Sequence, residues 1–255
     1  MRPARLTPAA DRLAVVLVAH GSRDPRAAAS TAALARAMRR AHPSWDVHAS
    51  YLDHAGPRPL DVLASLPGRR AVVVPLLLTE AYHGRVDIPA ILADAAALPV
   101  DVTLADVLGP SHSAPSRAVP VALLDGLVRR LGAAELDAVV LAAAGTRDAT
   151  ARETISWAAD ALSARLSVPC VAAYASGSLP DPGVVVTRLR ASGARRVGMA
   201  AYFLAPGFLY DLAVRSASQA CAAMTADPLG DAAELVCLVA ARVLAATARA
   251  LPAAA

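Results

Sequence analysis

Val15-Val16-Leu17-Val18-Ala19-His20-Gly21-Ser22-Arg23-Asp24 returns without a gap as Val139-Val140-Leu141-Ala142-Ala143-Ala144-Gly145-Thr146-Arg147-Asp148. Each copy is a β-branched run of strand length ending in a glycine turn and then a helix-starting aspartate. Three more matches follow in the same order. Tyr174-Ala175-Ser176 answers Tyr51-Leu52-Asp53, residues 199–211 loosely answer 74–87, and Ala226-Asp227-Pro228-Leu229-Gly230 answers Ala105-Asp106-Val107-Leu108-Gly109. All lie roughly 120 to 125 residues apart, about one small domain. Four ordered matches, each at the end of a predicted strand, indicate a duplication.

Outward from these anchors, apolar runs alternate with Ala-rich helical stretches. Strands are predicted at 12–19, 46–52, 70–78 and 100–107, and helices at 27–40, 59–66, 88–97 and 119–131. Asp87 should start the third helix, with Pro89 in its first turn. Near-continuous apolar strands alternating with helices predict an α/β fold with a parallel sheet covered on both faces. The expected organisation is a lead-in at 1–11, one Rossmann-like domain at 12–132, a second at 133–250 and a tail at 251–255. Each domain should be mainly a four-stranded parallel sheet. The boundary falls near 131–136, where Gly132 could cap the preceding helix.

Composition narrows the class. Hydrophobic residues make up 56% of the 255, yet Gly, Pro and Ser interrupt the long uncharged stretches, so no membrane span is expected. The first twelve residues lack the apolar core of a secretory signal, and a cytoplasmic location is the expectation. The three cysteines form no C-x-x-C pair and are read as buried free thiols. Net charge is +4 and, as lysine is absent, arginine supplies every fixed side-chain cation. With 4% aromatics and scattered arginines, nucleic-acid binding has little support, whereas a carboxylate-bearing small molecule fits arginine forks. There is no G-x-x-x-x-G-K-[ST], G-x-G-x-x-G or G-x-S-x-G motif, which argues against ATP, nicotinamide and a serine nucleophile.

In open parallel sheets ligands bind beyond the carboxyl ends of the strands. In the first half that places His20, Asp53 and His83 after strands one, two and three, with Glu80 just before His83. The second half has Ala144, Ser176 and Pro206-Gly207-Phe208 there instead. A strand-end set present in one copy only behaves as a site, not as scaffolding. Two imidazoles and a carboxylate suit a first-row divalent ion and also offer proton acceptors, although an aspartate needs a raised pKa to serve as one. The bland readings are a turn role for Asp53 before Gly56-Pro57, a solvated role for Glu80, and N-cap roles for Ser22 and Asp24 with Pro25 at the first helical position. His42, His48, His54 and His112 read as polar surface residues.

The segments Leu17 to Pro25, Tyr51 to Pro57, Pro75 to Leu78 and Tyr82 to Pro89 resemble the sirohydrochlorin chelatase family, the ATP-independent class II chelatases of tetrapyrrole biosynthesis, in their long two-domain form. The H-G-S-R start and the H-x-x-x-D-I-P segment carry the likeness. The resemblance implies two tandem chelatase-like domains and insertion of Fe²⁺ or Co²⁺, with Ni²⁺ chemically admissible, into sirohydrochlorin. It implies His20 and His83 as metal ligands and catalytic groups. Asp53 falls where the family usually has glutamate, one methylene longer. Ser22, Arg23 and Arg85 are the candidates for the substrate's carboxylates. No cofactor beyond the substrate metal and no ATP are expected, and the chain should act as a monomer with one site. A non-catalytic metal or tetrapyrrole carrier is the alternative reading.

Overall fold

A computed structural model describes residues 12–66, 68–79, 88–112, 118–132, 135–177 and 179–250. The first half runs β1 (Leu13–Ala19), α1 (Pro25–Ala41), β2 (Trp45–Tyr51), α2 (Pro59–Ala64), β3 (Arg70–Pro75), α3 (Ile88–Ala95), β4 (Asp101–Leu104) and α4 (Val121–Leu131). The second repeats the series as β5 (Ala138–Ala143), α5 (Ala149–Leu166), β6 (Cys170–Tyr174), α6 (Pro182–Ala191), β7 (Val197–Tyr202), α7 (Phe208–Gln219), β8 (Met224–Thr225) and α8 (Ala233–Ala250). Two four-stranded parallel sheets result, ordered β2-β1-β3-β4 and β6-β5-β7-β8. The chain leaves β1 for one side of the sheet and returns on the other. This makes the gap beyond the ends of β1 and β3 a topological switch point.

The helix starts follow local chemistry. Asp24 caps α1 by accepting from the Arg26 N–H at 2.9 Å, Pro25 fills the first helical position, and Arg39 and Arg40 sit in the last turn. Asp148 and Asp181 cap α5 and α6 in the same way. Gly132 closes α4 at φ 67°, as its position suggested. Two predicted strands are shorter than expected. The strand predicted at 70–78 ends at Pro75, after which Leu76 still donates to Val18 O at 2.8 Å. The one predicted at 100–107 ends at Leu104, and beyond it Ala105 and Leu108 donate singly to Val73 and Leu77 at 2.9 and 2.8 Å.

Alternation along β1 sorts the core. Ala14, Val16 and Val18 pack with Val62, Leu63 and Ile88 of α2 and α3, while Val15 and Leu17 join a larger cluster shared by both halves. The middle of the molecule is a helical layer with a crossed arrangement. α4, from the first half, packs on β7 of the second sheet, and α8, from the second half, packs on β3 and β4 of the first. The two exchanged helices also pack on each other. Gly126 permits this closeness, since a Cβ there would lie 3.0 Å from Leu229 Cδ2 and 3.4 Å from Glu234 Cβ. The stripe Leu123, Leu127 and Leu131 on α4 and the stripe Leu235, Val239 and Val243 on α8 are buried. Each such side chain contributes about 1.5–3 kcal/mol of burial.

The cysteine expectation needs correcting. Cys170, Cys221 and Cys237 are free, but Cys221 and Cys237 are exposed. Cys221 lies in the left-handed turn after α7, at φ 62°, and Cys237 points to solvent between the buried Val236 and Leu238. Only Cys170 behaves as an enclosed thiol, its pKa pushed up to about 12 by burial. No helix of the described residues is long and apolar enough to cross a membrane.

Because each sheet is covered by the other half's last helix, the chain should unfold as one unit. Scanning calorimetry is expected to give a single transition with a calorimetric to van't Hoff enthalpy ratio of about one. Two separate transitions would contradict the shared core.

Candidate metal and substrate cleft

The loops after β1 and β2 are built on a backbone frame common to both halves. Leu52 and Asp53 donate to Ala19 O and His20 O, each at 2.9 Å, so pairing continues past the strand ends. Ala175 and Ser176 do the same to Ala143 O and Ala144 O at 2.9 and 3.0 Å. Gly21 and Gly145 turn the chain at φ 91° and 98°. A Cβ would lie 1.8 Å from Asp53 O in one case and 1.7 Å from Ser176 O in the other, so glycine is required twice. Ser22 Oγ accepts from Asp24 N at 3.0 Å, and Thr146 Oγ1 accepts from Asp148 N at 3.1 Å. Ser22 therefore has a local turn role, and its hydroxyl proton is still available as a donor.

On this common frame the first half carries His20 and Asp53. His20 is exposed at the end of β1 and lies within electrostatic reach of Asp53. Asp53 is a turn residue, as the bland reading had it. Its Oδ1 accepts from the His54 N–H at 2.8 Å, and its main-chain oxygen accepts from Ala55 N at 2.7 Å. The Arg58 Nη2 is 3.7 Å from Oδ1 and the His54 Nε2 is 3.5 Å from Oδ2. The His54 N–H first, then the His54, Arg58 and His20 charges, hold the carboxyl below the ordinary aspartate value. With the folded value depressed, the charge supports the fold above the ordinary range, and that support fades as pH falls through the lowered value. Asp53 is therefore held as an anion rather than poised to take up a proton.

His83, Arg85, Glu80 and Asp87 lie outside the described residues. Among the described residues no group of three or more His, Cys, Asp or Glu gathers to hold a metal. Arg23 is exposed beside His20 and makes no hydrogen bond or ion pair among the described residues.

The sequence did not show the cavity next to His20. It measures about 150 Å³ and is lined by His20, Tyr51 and Leu76 from the first half and by Leu204, Ala205 and Gly230 from the second. Pockets that enclose drug-sized ligands run to about 300–1,000 Å³, so this cavity is smaller than one that would enclose such a ligand. Ser30 Oγ to Leu204 O at 3.5 Å and an Arg26–Asp211 ion pair at 2.6 Å tie the two walls together. His112, read as a surface residue, also joins the halves. Its ring packs against Trp157 at a tilt of 51° with centroids 4.4 Å apart and lies 3.5 Å from Glu153.

The sheet register shows what stands in the second half where Leu76 lines this cavity. Leu17 pairs with Val74, and its equivalent Leu141 pairs with Ala200. The loose sequence match of 74–87 with 199–211 is thus displaced by one residue, and Leu76 stands against Tyr202. Where Leu76 lines a cavity, Tyr202 is 3% exposed and its Oη donates to Leu78 O of the first half at 3.1 Å. Burial pushes this phenol's pKa up, so it remains a donor. The tyrosine occupies the ground that is open beside His20.

The comparisons with known proteins agree with this architecture. The CbiX family model matches residues 14–116 and again 138–246. The chain belongs to the CbiX family. A crystal structure of the sirohydrochlorin chelatase SirB from Bacillus subtilis subspecies spizizenii, in complex with cobalt, is similar over 93% of this chain and 96% of its own, with a TM-score of 0.75 and 20% identity. SirB from Bacillus subtilis with Fe³⁺ aligns over 94% and 97%, with a TM-score of 0.77 and 21% identity. A structure of CbiX, described as the terminal enzyme for biosynthesis of siroheme in denitrifying bacteria, aligns over 92% and 99%, with a TM-score of 0.59 and 18% identity. Among curated proteins none matches the sequence. For this CbiX-family chain the tandem chelatase-like fold is thereby shown.

Tyr202→Phe removes the donor to Leu78 O and leaves a buried carbonyl short of its partner. Urea denaturation should register a loss of about 1–3 kcal/mol. An unchanged midpoint would mean that the bond does not hold the halves together.

Proposed function

We propose that this chain inserts a divalent metal ion, Fe²⁺ or Co²⁺, into sirohydrochlorin without ATP, as a monomer with one site, in the cytoplasm. The observation that carries the proposal is the asymmetry at the switch point. On a backbone frame shared by both halves, the first presents His20 at an open cavity with Asp53 in the adjoining turn, where the second has Ala144, Ser176 and the buried Tyr202. The metal-bearing SirB structures, which share the fold, support it.

Insertion exchanges one M²⁺ for two pyrrole N–H protons, so the site must hold a cation and then accept protons. His20 and His83, neutral, would hold the incoming ion and displace part of its water. Imidazoles titrate near neutrality and are the natural acceptors. Asp53, held as an anion, would draw the cation in and steady a protonated imidazole. Its shorter reach matters less for such a charge than for direct proton transfer. Arg23, Arg85 and the Ser22 hydroxyl would hold the carboxylates around the macrocycle. Those remote contacts can supply binding energy for ring distortion. Iron insertion would place the chain in sirohaem synthesis and cobalt insertion in cobalamin synthesis. Imidazole and carboxylate ligands suit either ion, and Ni²⁺ as well.

The test is the absorbance change of sirohydrochlorin on addition of Co²⁺ or Fe²⁺, with the wild type compared with His20→Ala and His83→Ala. Each variant should lose roughly 10²- to 10⁴-fold in rate, the scale of a positioned acid–base group. Variants that both match the wild type would end the catalytic reading, and binding without acceleration would favour a carrier.

A further inference from the structure

The first turn of α7 presents a large ring to water. Phe208 is 70% exposed, although the helix buries Ala213 and Ala217 against the second sheet and Tyr210 packs edge-on against Phe203 at 5.7 Å. Its location is well fixed. Phe208 follows the N-cap Gly207, so it stands at the strand-end tip of the helix. Asp211, three residues on and hence on the same helical face, reaches across to Arg26 at 2.6 Å, in the first turn of α1. Ala205, three residues before Phe208, lines the cavity with His20. Phe208 therefore belongs to the rim of the His20 cavity, on the wall supplied by the second half. Around a Cβ on Gly207 there is open space within 4 Å among the described residues.

We infer that Phe208 is a substrate-positioning residue, the aromatic platform against which one face of the flat macrocycle stacks while its edge enters the His20 cavity. This rests on the chelatase reading above and names a residue of the wall opposite the metal ligands. The cavity is too small to take the whole molecule, so most of the ring must be held at the mouth. Among the described residues the exposed π-surface there is Phe208. Offset stacking of aromatic rings recovers binding energy beyond simple area burial and leaves the opposite face of the macrocycle free to receive the metal. The arginines and the phenylalanine then divide the work, with cations holding the peripheral carboxylates and the ring holding the plane.

Two variants test the assignment in the full-length protein. Phe208→Ala, at an exposed position, should melt with the wild type. Its KM for sirohydrochlorin should rise about two- to tenfold, the scale of one aromatic pair, with the Co²⁺ dependence of the rate unchanged. Phe208→Trp should keep a KM near that of the wild type, and its added emission, over that of Trp45 and Trp157, should be quenched by metal-free sirohydrochlorin. An unchanged KM in Phe208→Ala, or an unquenched tryptophan at 208, would overturn the inference while leaving the chelatase reading intact. A wild type that does not bind sirohydrochlorin would overturn both.

Discussion

The exchange of the last helix between the halves is the constraint on which the rest of the structure depends. α4 covers the second sheet and α8 the first, so neither sheet has a complete apolar cover of its own. One core cluster runs through both halves as a result. The exchange is pinned at both ends. Arg130 of α4 donates to Leu229 O at 2.8 Å, and Arg242 of α8 donates to Gly109 O at 3.4 Å. A cleft whose two walls come from different halves can hold its shape only if the halves cannot swing apart. The crossed helices supply that rigidity, and the Arg26–Asp211 pair adds a tie at the rim.

On this near-symmetric frame the two halves differ in a few side chains at the strand ends. The glycine turns, the aspartate caps and the main-chain bonds past the strand ends occur in both copies. Even the cis bonds before Pro57 and Pro180 recur, each with its carbonyl bonded to the tyrosine that ends the second strand. Against that background Ala144 for His20, Ser176 for Asp53 and Tyr202 for Leu76 stand out. The first two put neutral side chains where the first half has an imidazole and a carboxylate, and the third is a buried ring where Leu76 lines a cavity. The second half thus serves as a wall, contributing Leu204, Ala205 and Gly230 to the cavity.

Much of this was legible in the sequence because strand ends and helix caps are local. The repeat, the two parallel sheets and the position of His20 followed from apolar runs and the residues just after them. The crossing of α4 and α8 was not legible. An apolar stripe such as Leu123, Leu127 and Leu131 reads the same whichever sheet it covers. The pairing of Leu76 with Tyr202 was hidden by a register uncertainty of one residue, which only the sheet hydrogen bonds resolve. Asp53 was read both as a turn residue and as a site residue, and it is found in a turn beside His20. Its lowered pKa depends on the His54 N–H, a contact that composition cannot reveal. The exposed thiols were missed because residue type predicts average burial, whereas Cys237 owes its exposure to the face of α8 it occupies.

The most direct measurement is anomalous diffraction from crystals of the full chain soaked in Co²⁺. The account predicts one strong peak per chain, beside His20 and within ligand distance of His83, and none beside Ala144. A peak of equal strength at the second half's strand ends, or a single peak remote from His20, would contradict it.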